Sequence, residues 1–186
     1  MRIISGEKKG TRLFSLKKRK IRPTSDKVKG AIFNVLSSVE DKKVLDLFAG
    51  SGSLGIEALS RGAEEVIFVD TSFSSLDLIR KNLEKLRFRE KGRLIKKNVL
   101  RFLKGGFKER FDLVLADPPY GRGLCQKVLD ILAEKDFLIV DGILVIEHHK
   151  KEKIEKVENF MLLQEKKYGD TLVSFFRKIS QEKEFL

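Results

Sequence analysis

The chain has 186 residues, 41% of them hydrophobic, with 39 Lys or Arg against 27 Asp or Glu and a net charge of +12. That length suits one α/β domain with a sizeable core and is short for two. No run of 18 apolar residues occurs and the amino terminus lacks the continuous apolar segment of a signal peptide, so a membrane span is excluded and a soluble, cytoplasmic protein is expected, with no membrane partner. The single cysteine, Cys125, excludes an internal disulfide and a cysteine-cluster metal site. Lying in a predicted helix, Cys125 reads as core. His148 and His149 end a predicted strand without a carboxylate or cysteine cluster, and no metal is expected there.

The positive charge is concentrated at the start of the chain. Residues 1–30 hold eleven Lys or Arg and two acids, which is +9 of the +12. The run Lys17, Lys18, Arg19, Lys20 would ordinarily be a solvated surface, but at this density it reads as an electrostatic grip on nucleic-acid phosphates. A second basic stretch, Arg80 to Arg101, is partly the exposed face of a helix and makes a weaker case. Short apolar segments around a Gly6–Gly10 turn predict an N-terminal β-hairpin appendage, a basic extension over 1–23 of a single domain spanning 1–186. Thr24 or Ser25 then serves as N-cap, with Asp26 in the first turn, for a helix to about Ser37.

From there strands and helices alternate. Strands are predicted at 44–48, 66–70, 93–97, 111–116 and 143–148, and helices at 53–61, 73–87, 99–104, 123–134 and 151–158. Two strands near 161–168 and 171–178 close the chain as a hairpin joined at Gly169-Asp170. Five βα units and a terminal hairpin imply a Rossmann-like, seven-stranded, mostly parallel sheet with one antiparallel strand and helices on both faces.

Two motifs carry chemistry. The first is the strand–turn–helix Val44–Arg61, with Gly50, Ser51, Gly52 and Gly55 in a tight turn after an apolar strand. Glycines allow close backbone approach and the following helix presents free N–H groups. A lone glycine signature is shared by NAD, FAD and S-adenosylmethionine sites and by plain turns. Here Asp70 ends the next strand, where a carboxylate accepts hydrogen bonds from ribose hydroxyls. Asp46 separates the cofactors: a carboxylate four residues before the glycines opposes a pyrophosphate but suits the ammonium of S-adenosylmethionine. Its bland alternative is a helix cap or a solvated strand end.

The second motif is Asp117-Pro118-Pro119-Tyr120, after the buried strand Phe111–Ala116. Two prolines fix φ near −65° and remove two donors, leaving a stiff, acceptor-rich segment at the ligand edge of the sheet. Such a segment suits a substrate that brings N–H donors. Asp117 and the Pro118 carbonyl can hold an exocyclic amine, with Tyr120 stacked on the attached base; the alternative is an ordinary strand-to-helix turn, with the ring against the adjacent helix.

Together, Asp46–Ala63 and Ala116–Tyr120 resemble the S-adenosylmethionine-dependent amino-methyltransferases. More narrowly, the chain resembles the bacterial methyltransferases that modify a guanine N2 in 16S ribosomal RNA. Arg2–Gly6, Arg22–Val28, Phe33-Asn34 and Tyr168–Thr171 extend the likeness from Arg2 to about Phe176. The resemblance implies a class I methyltransferase fold and S-adenosylmethionine as cofactor, bound by Asp46, Phe48, Gly50, Ser51, Gly52, Gly55, Asp70 and Asn98. Asn98 stands where many members of the class carry Asp to hold the adenine amino group, and its carbonyl can do the same. The implied catalytic segment is Asp117, Pro118, Pro119 and Tyr120. Arg22, Thr24 and Asp26 are expected near the target base, alongside the Lys17–Lys20 grip. The implied partner is a partly or fully assembled small ribosomal subunit, met by a monomer. Residue chemistry alone leaves guanine N2, adenine N6 and cytosine N4 open, and the rivals in view are an adenine-N6 methyltransferase of DNA or RNA, a non-catalytic RNA-binding module and an NAD-dependent oxidoreductase.

Overall fold

The structure, a computed structural model, describes residues 1–15 and 26–180. Lys17, Lys18, Arg19, Lys20, Arg22 and the proposed cap at Thr24 or Ser25 therefore lie outside the described residues. The elements in chain order are α1 (Asp26–Val35), β1 (Lys43–Leu47), α2 (Ser53–Ser60), β2 (Glu65–Asp70), α3 (Phe73–Leu86), β3 (Gly92–Lys96), α4 (Val99–Lys104), β4 (Phe111–Ala116), α5 (Leu124–Glu134), β5 (Leu138–His149), β6 (Phe160–Tyr168) and β7 (Thr171–Lys178). The seven strands form one sheet in the order β3-β2-β1-β4-β5-β7-β6. β7 pairs antiparallel with both β5 and β6, so it is the one reversed strand.

Near-continuous apolar runs build this sheet because both faces are covered. Val44, Val66, Phe68, Leu113, Leu115, Val145 and Phe175 face a core shared with α1, α2 and α3. Leu45, Leu47, Ile67, Val69, Val114, Ala116 and Ile146 face a second core shared with α4 and α5. The helices change sides between β1 and β4, and the crevice where ligands bind in open α/β sheets opens at that reversal.

Two expectations need correction and a third is met only in outline. The N-terminal segment folds back antiparallel through one bridge, Arg2 to Arg12, with Ile3 donating to the Thr11 carbonyl at 3.0 Å, Gly10 to Ile3 at 2.9 Å and Leu13 to Met1 at 3.3 Å, but it forms no extended strand pair. The stretch after Ile3 binds α2 instead: the amides of Ile4 and Ser5 donate to the Glu57 carboxylate at 2.8 and 3.0 Å, and Glu7 donates to the Ser60 carbonyl at 2.6 Å. Gly6 is required there, since a Cβ would lie 1.7 Å from the Ser60 oxygen. Residues 151–158 are irregular and not helical. The Glu155 amide is tied to the Gln126 side chain of α5 at 2.7 Å, and a free turn of two is marginal without a continuous apolar face. Finally, β5 begins at Leu138, five residues before the expected start at 143, because the strand crosses a bulge at Asp141, with φ +64°, and Gly142.

Candidate active site

Asp46 and Asp117 meet at the reversal between β1 and β4. Leu47 pairs with Ala116 across the two strands, and the Asp117 amide faces the Leu47 carbonyl at 3.5 Å. Asp46 is buried, and one carboxylate oxygen accepts from the Gly55 amide of α2 at 3.0 Å. Burial pushes its carboxyl well above the usual range; the Gly55 hydrogen bond opposes this, and the charges of Asp117 and Asp70 raise it further. Three carboxylates converging on one crevice create a demand for positive charge. An ammonium or sulfonium supplies it, whereas a pyrophosphate would deepen the repulsion, so these residues fit the methionine end of S-adenosylmethionine.

The glycine turn is held from within. Asp70 uses one carboxylate oxygen on the Gly50 amide at 2.8 Å and the other on Ser72 at 2.7 Å, so β2 sets the shape of the turn as well as facing the ligand crevice. Phe48, Gly50 and Gly52 take positive φ of 57°, 52° and 72°. A Cβ on Gly55 would sit 2.3 Å from the Phe68 ring, so this glycine serves helix-on-sheet contact rather than ligand approach. Gly50 is the open one, with nothing closer to a built Cβ than the Phe48 carbonyl at 3.7 Å. The Ser51 hydroxyl donates to the Met1 sulfur at 3.3 Å, which brings the amino terminus onto the turn. Asn98 is exposed; its carbonyl caps α4 by accepting from the Arg101 amide at 3.1 Å. That same oxygen can accept a second hydrogen bond.

On the other side of the reversal, Pro118 is buried, Asp117 is half-buried, and Pro119 and Tyr120 are exposed. Tyr120 leans on strand ends and not on a helix. Its hydroxyl donates to Glu147 of β5 at 3.2 Å and lies 3.1 Å from the Thr171 hydroxyl of β7. The His149 ring meets it edge-on at 5.7 Å. Burial, with the neighbouring Glu147 and Asp117, pushes the phenol up to about 12 against the Thr171 hydrogen bond. Glu147 and Thr171 escaped sequence reasoning. Thr171 sat in view inside the Tyr168–Thr171 stretch, but its partner lies 51 residues away. The histidine pair divides: His149 joins the rim, while His148 is buried and bonds Ser174 at 2.8 Å. Cys125 is buried in α5, as read.

Behind the glycine turn lies a buried charge cluster that periodicity could not reveal. Lys29 of α1 and Glu57 of α2 are both fully buried and 3.4 Å apart. Lys29 also donates to the Arg2 carbonyl at 2.7 Å, and Arg61 pairs with Glu57 at 2.9 Å. Asp26 sits at the edge of this cluster, 4.0 Å from Lys29 and 3.8 Å from Arg2, so the structure gives it a local ionic role in anchoring α1. Asn82 of α3 clamps the backbone of Phe14, accepting from its amide at 2.8 Å and donating to its carbonyl at 3.2 Å. The basic segment thus leaves a fixed point and returns to one.

A family model described as "Conserved hypothetical protein 95" matches residues 1–177. The chain belongs to this family. Among similar proteins, "Putative rRNA methyltransferase YlbH" of Bacillus subtilis is 38% identical over 182 residues, 96% of this chain and 99% of the relative. "Ribosomal RNA small subunit methyltransferase D" of Haemophilus influenzae is 36% identical over 172 residues, 91% of this chain and 89% of the relative. The solved structure described as "Putative methyltransferase yhhF from Escherichia coli" superposes with a TM-score of 0.87 at 30% identity, covering 97% of this chain and 99% of that one. The conserved hypothetical 95 fold seen here is therefore the class I methyltransferase fold, and the reversed β7 is part of it.

Proposed function

We propose that the protein transfers a methyl group from S-adenosylmethionine to the exocyclic N2 of a guanine in 16S ribosomal RNA, in a partly or fully assembled small subunit. The observation that carries this reading is the closeness of Asp46 in β1 and Asp117 just beyond β4, a buried carboxyl beside an acceptor-lined proline segment. The relatives named as ribosomal RNA methyltransferases support the substrate class. The density of Lys and Arg before α1 supports an RNA partner.

When bound, the cofactor would supply an electrophilic methyl on a sulfonium, the carbon–sulfur bond breaking as the carbon–nitrogen bond forms and S-adenosylhomocysteine leaving as the neutral thioether. Asp46 would hold the cofactor's ammonium, and Asp70, Phe48 and the Gly50–Gly52 turn would contact the rest of it, with Asn98 for the adenine amino group. An aryl amine is a poor nucleophile because its lone pair is delocalised into the ring. Asp117 and the Pro118 carbonyl accept its two N–H bonds, which favours a pyramidal nitrogen and aims the lone pair along a fixed direction. Alignment of this kind is worth roughly 7–11 kcal/mol, so positioning and electrostatics can carry most of the rate. Once the nitrogen gains its fourth bond it is strongly acidic, and its proton can pass to Asp117 or to water without a prior base. Tyr120 offers a face for stacking, worth about 1–3 kcal/mol per base.

Small subunits from a strain lacking its own enzyme, incubated with radiolabelled S-adenosylmethionine and digested to nucleosides, test the reading. Label in N2-methylguanosine is expected. Label in N6-methyladenosine, or in DNA offered as competitor, would transfer the assignment to the adenine-directed alternative, and stabilisation by NAD without methyl transfer would end it.

A further inference from the structure

Tyr120 is exposed over 36% of its surface, while the two residues that hold its hydroxyl are buried, Glu147 at 7% and Thr171 at 3%. A phenol has one proton to give. It goes to Glu147, so Thr171 must donate its own proton to the Tyr120 oxygen, and the three form a directional chain. The two supports come from neighbouring strands. His149 pairs with Thr171 in the β5–β7 register, and the Lys150 amide donates to the Asp170 carbonyl at 2.8 Å. The Lys150 ammonium closes the same corner on the Asp170 carboxylate at 2.8 Å. The β6–β7 turn is thereby tied to the end of β5, and Thr171 cannot drift from the phenol. With its pKa pushed up to about 12, the phenol keeps its proton, and remains a donor, across the ordinary pH range.

We propose that Glu147 and Thr171 are positioning residues that fix the Tyr120 ring as a rigid platform for the face of the target base. The inference rests on the reading of Asp117–Tyr120 as the target-amine site. A ring free to change rotamer must lose that freedom on stacking, whereas a ring already held by its hydroxyl does not. The benefit falls on RNA turnover and not on the cofactor, which lies on the far side of the reversal. The Tyr168–Thr171 stretch acquires a role by the same argument: its turn carries Thr171 to the phenol.

The test is a double-mutant cycle on methyl transfer to small subunits, with binding of S-adenosylhomocysteine measured beside it. Tyr120→Phe and Glu147→Leu are each expected to lower kcat/KM about 10- to 30-fold, as loss of a charge-assisted hydrogen bond does. Affinity for S-adenosylhomocysteine should stay within about twofold. Glu147→Gln, which keeps an acceptor, should return to within about threefold of the parent. Because Glu147 acts through the hydroxyl, the double variant should be no more than about twofold worse than the poorer single variant. Should Glu147→Leu fail to fold, Thr171→Val in the same cycle must show the same non-additivity. Losses that multiply, a Gln variant no better than Leu, or a parallel fall in cofactor affinity would each overturn the inference. A parent protein that methylates no RNA would overturn the proposed function; an active parent with multiplying losses overturns this inference alone.

Discussion

The two halves of the sheet's carboxyl rim are held by different means. The β1–α2–β2 half is fastened by backbone: Asp46 takes the Gly55 amide, Asp70 takes the amides of Gly50 and Ser72, and α2 lies so close to β2 that Gly55 has no room for a side chain. The β4–β5–β7 half is fastened by side chains: Tyr120 rests on Glu147, Thr171 and His149. Backbone fastening suits a ligand that never changes, such as a cofactor. Side-chain fastening can be retuned one residue at a time, as a site that must match one nucleotide among many requires. The rim therefore divides into a backbone-fixed half and an adjustable half, and substitutions should separate them.

The largest separation is expected from Asp117→Ala. It should lower kcat by at least about 10³-fold while S-adenosylhomocysteine affinity changes less than about threefold, read by single-turnover methyl transfer and calorimetry. Near-normal turnover would remove Asp117 from the chemistry. Asp46→Asn should do the reverse, weakening cofactor binding about 50-fold, the scale of one charge-assisted bond. It should also leave the cofactor-free protein as stable as the parent or more so. The sign follows from the raised pKa: a carboxyl that holds its proton more tightly when folded costs stability above that raised pKa, and the cost fades as pH falls through it. Cofactor affinity runs the other way. It should fall on acidification as Asp46 takes up a proton, and the Asn variant should lose that pH dependence.

Gly55→Ala should cost stability on the order of 2 kcal/mol in urea unfolding, because its Cβ would overlap the Phe68 ring. An unchanged midpoint would show that α2 can lift off β2 freely. The smallest effect is expected from Asn82→Ala. Loss of its two bonds to Phe14 should lower stability by about 1 kcal/mol without altering cofactor affinity. It should weaken RNA binding if the basic segment must start from a fixed point; unaltered RNA affinity would detach that anchor from the interface.

The order of elements was legible because both signals were local. Parallel strands covered on both faces write themselves as apolar runs such as Val44–Leu47 and Phe111–Ala116, and glycine turns punctuate them. The positions of Asp46, Asp70 and Asp117 in the fold were legible for the same reason, each lying within, at the end of, or directly after a strand. What local pattern could not convey is pairing at long range. Lys29 and Glu57 look like surface charges of amphipathic helices until the fold buries them against each other. Glu147 reads as an ordinary strand residue until Tyr120 arrives from 27 positions away. The N-terminal segment turns back on itself as a hairpin does, yet the amides of Ile4 and Ser5 bond to Glu57 of α2, so the pairing stops at one bridge. Residues 151–158 have helical composition, but Ile154 and Val157 reach the core from an irregular strap, with the Glu155 amide held by Gln126.

A crystal structure with S-adenosylhomocysteine bound tests the central claim most directly. The account predicts the ammonium within hydrogen-bond distance of Asp46 and the sulfur turned toward the Asp117 and Pro118 acceptors across the β1–β4 reversal. A sulfur pointing away from that proline segment, or Asp46 left without a cationic partner, would contradict it.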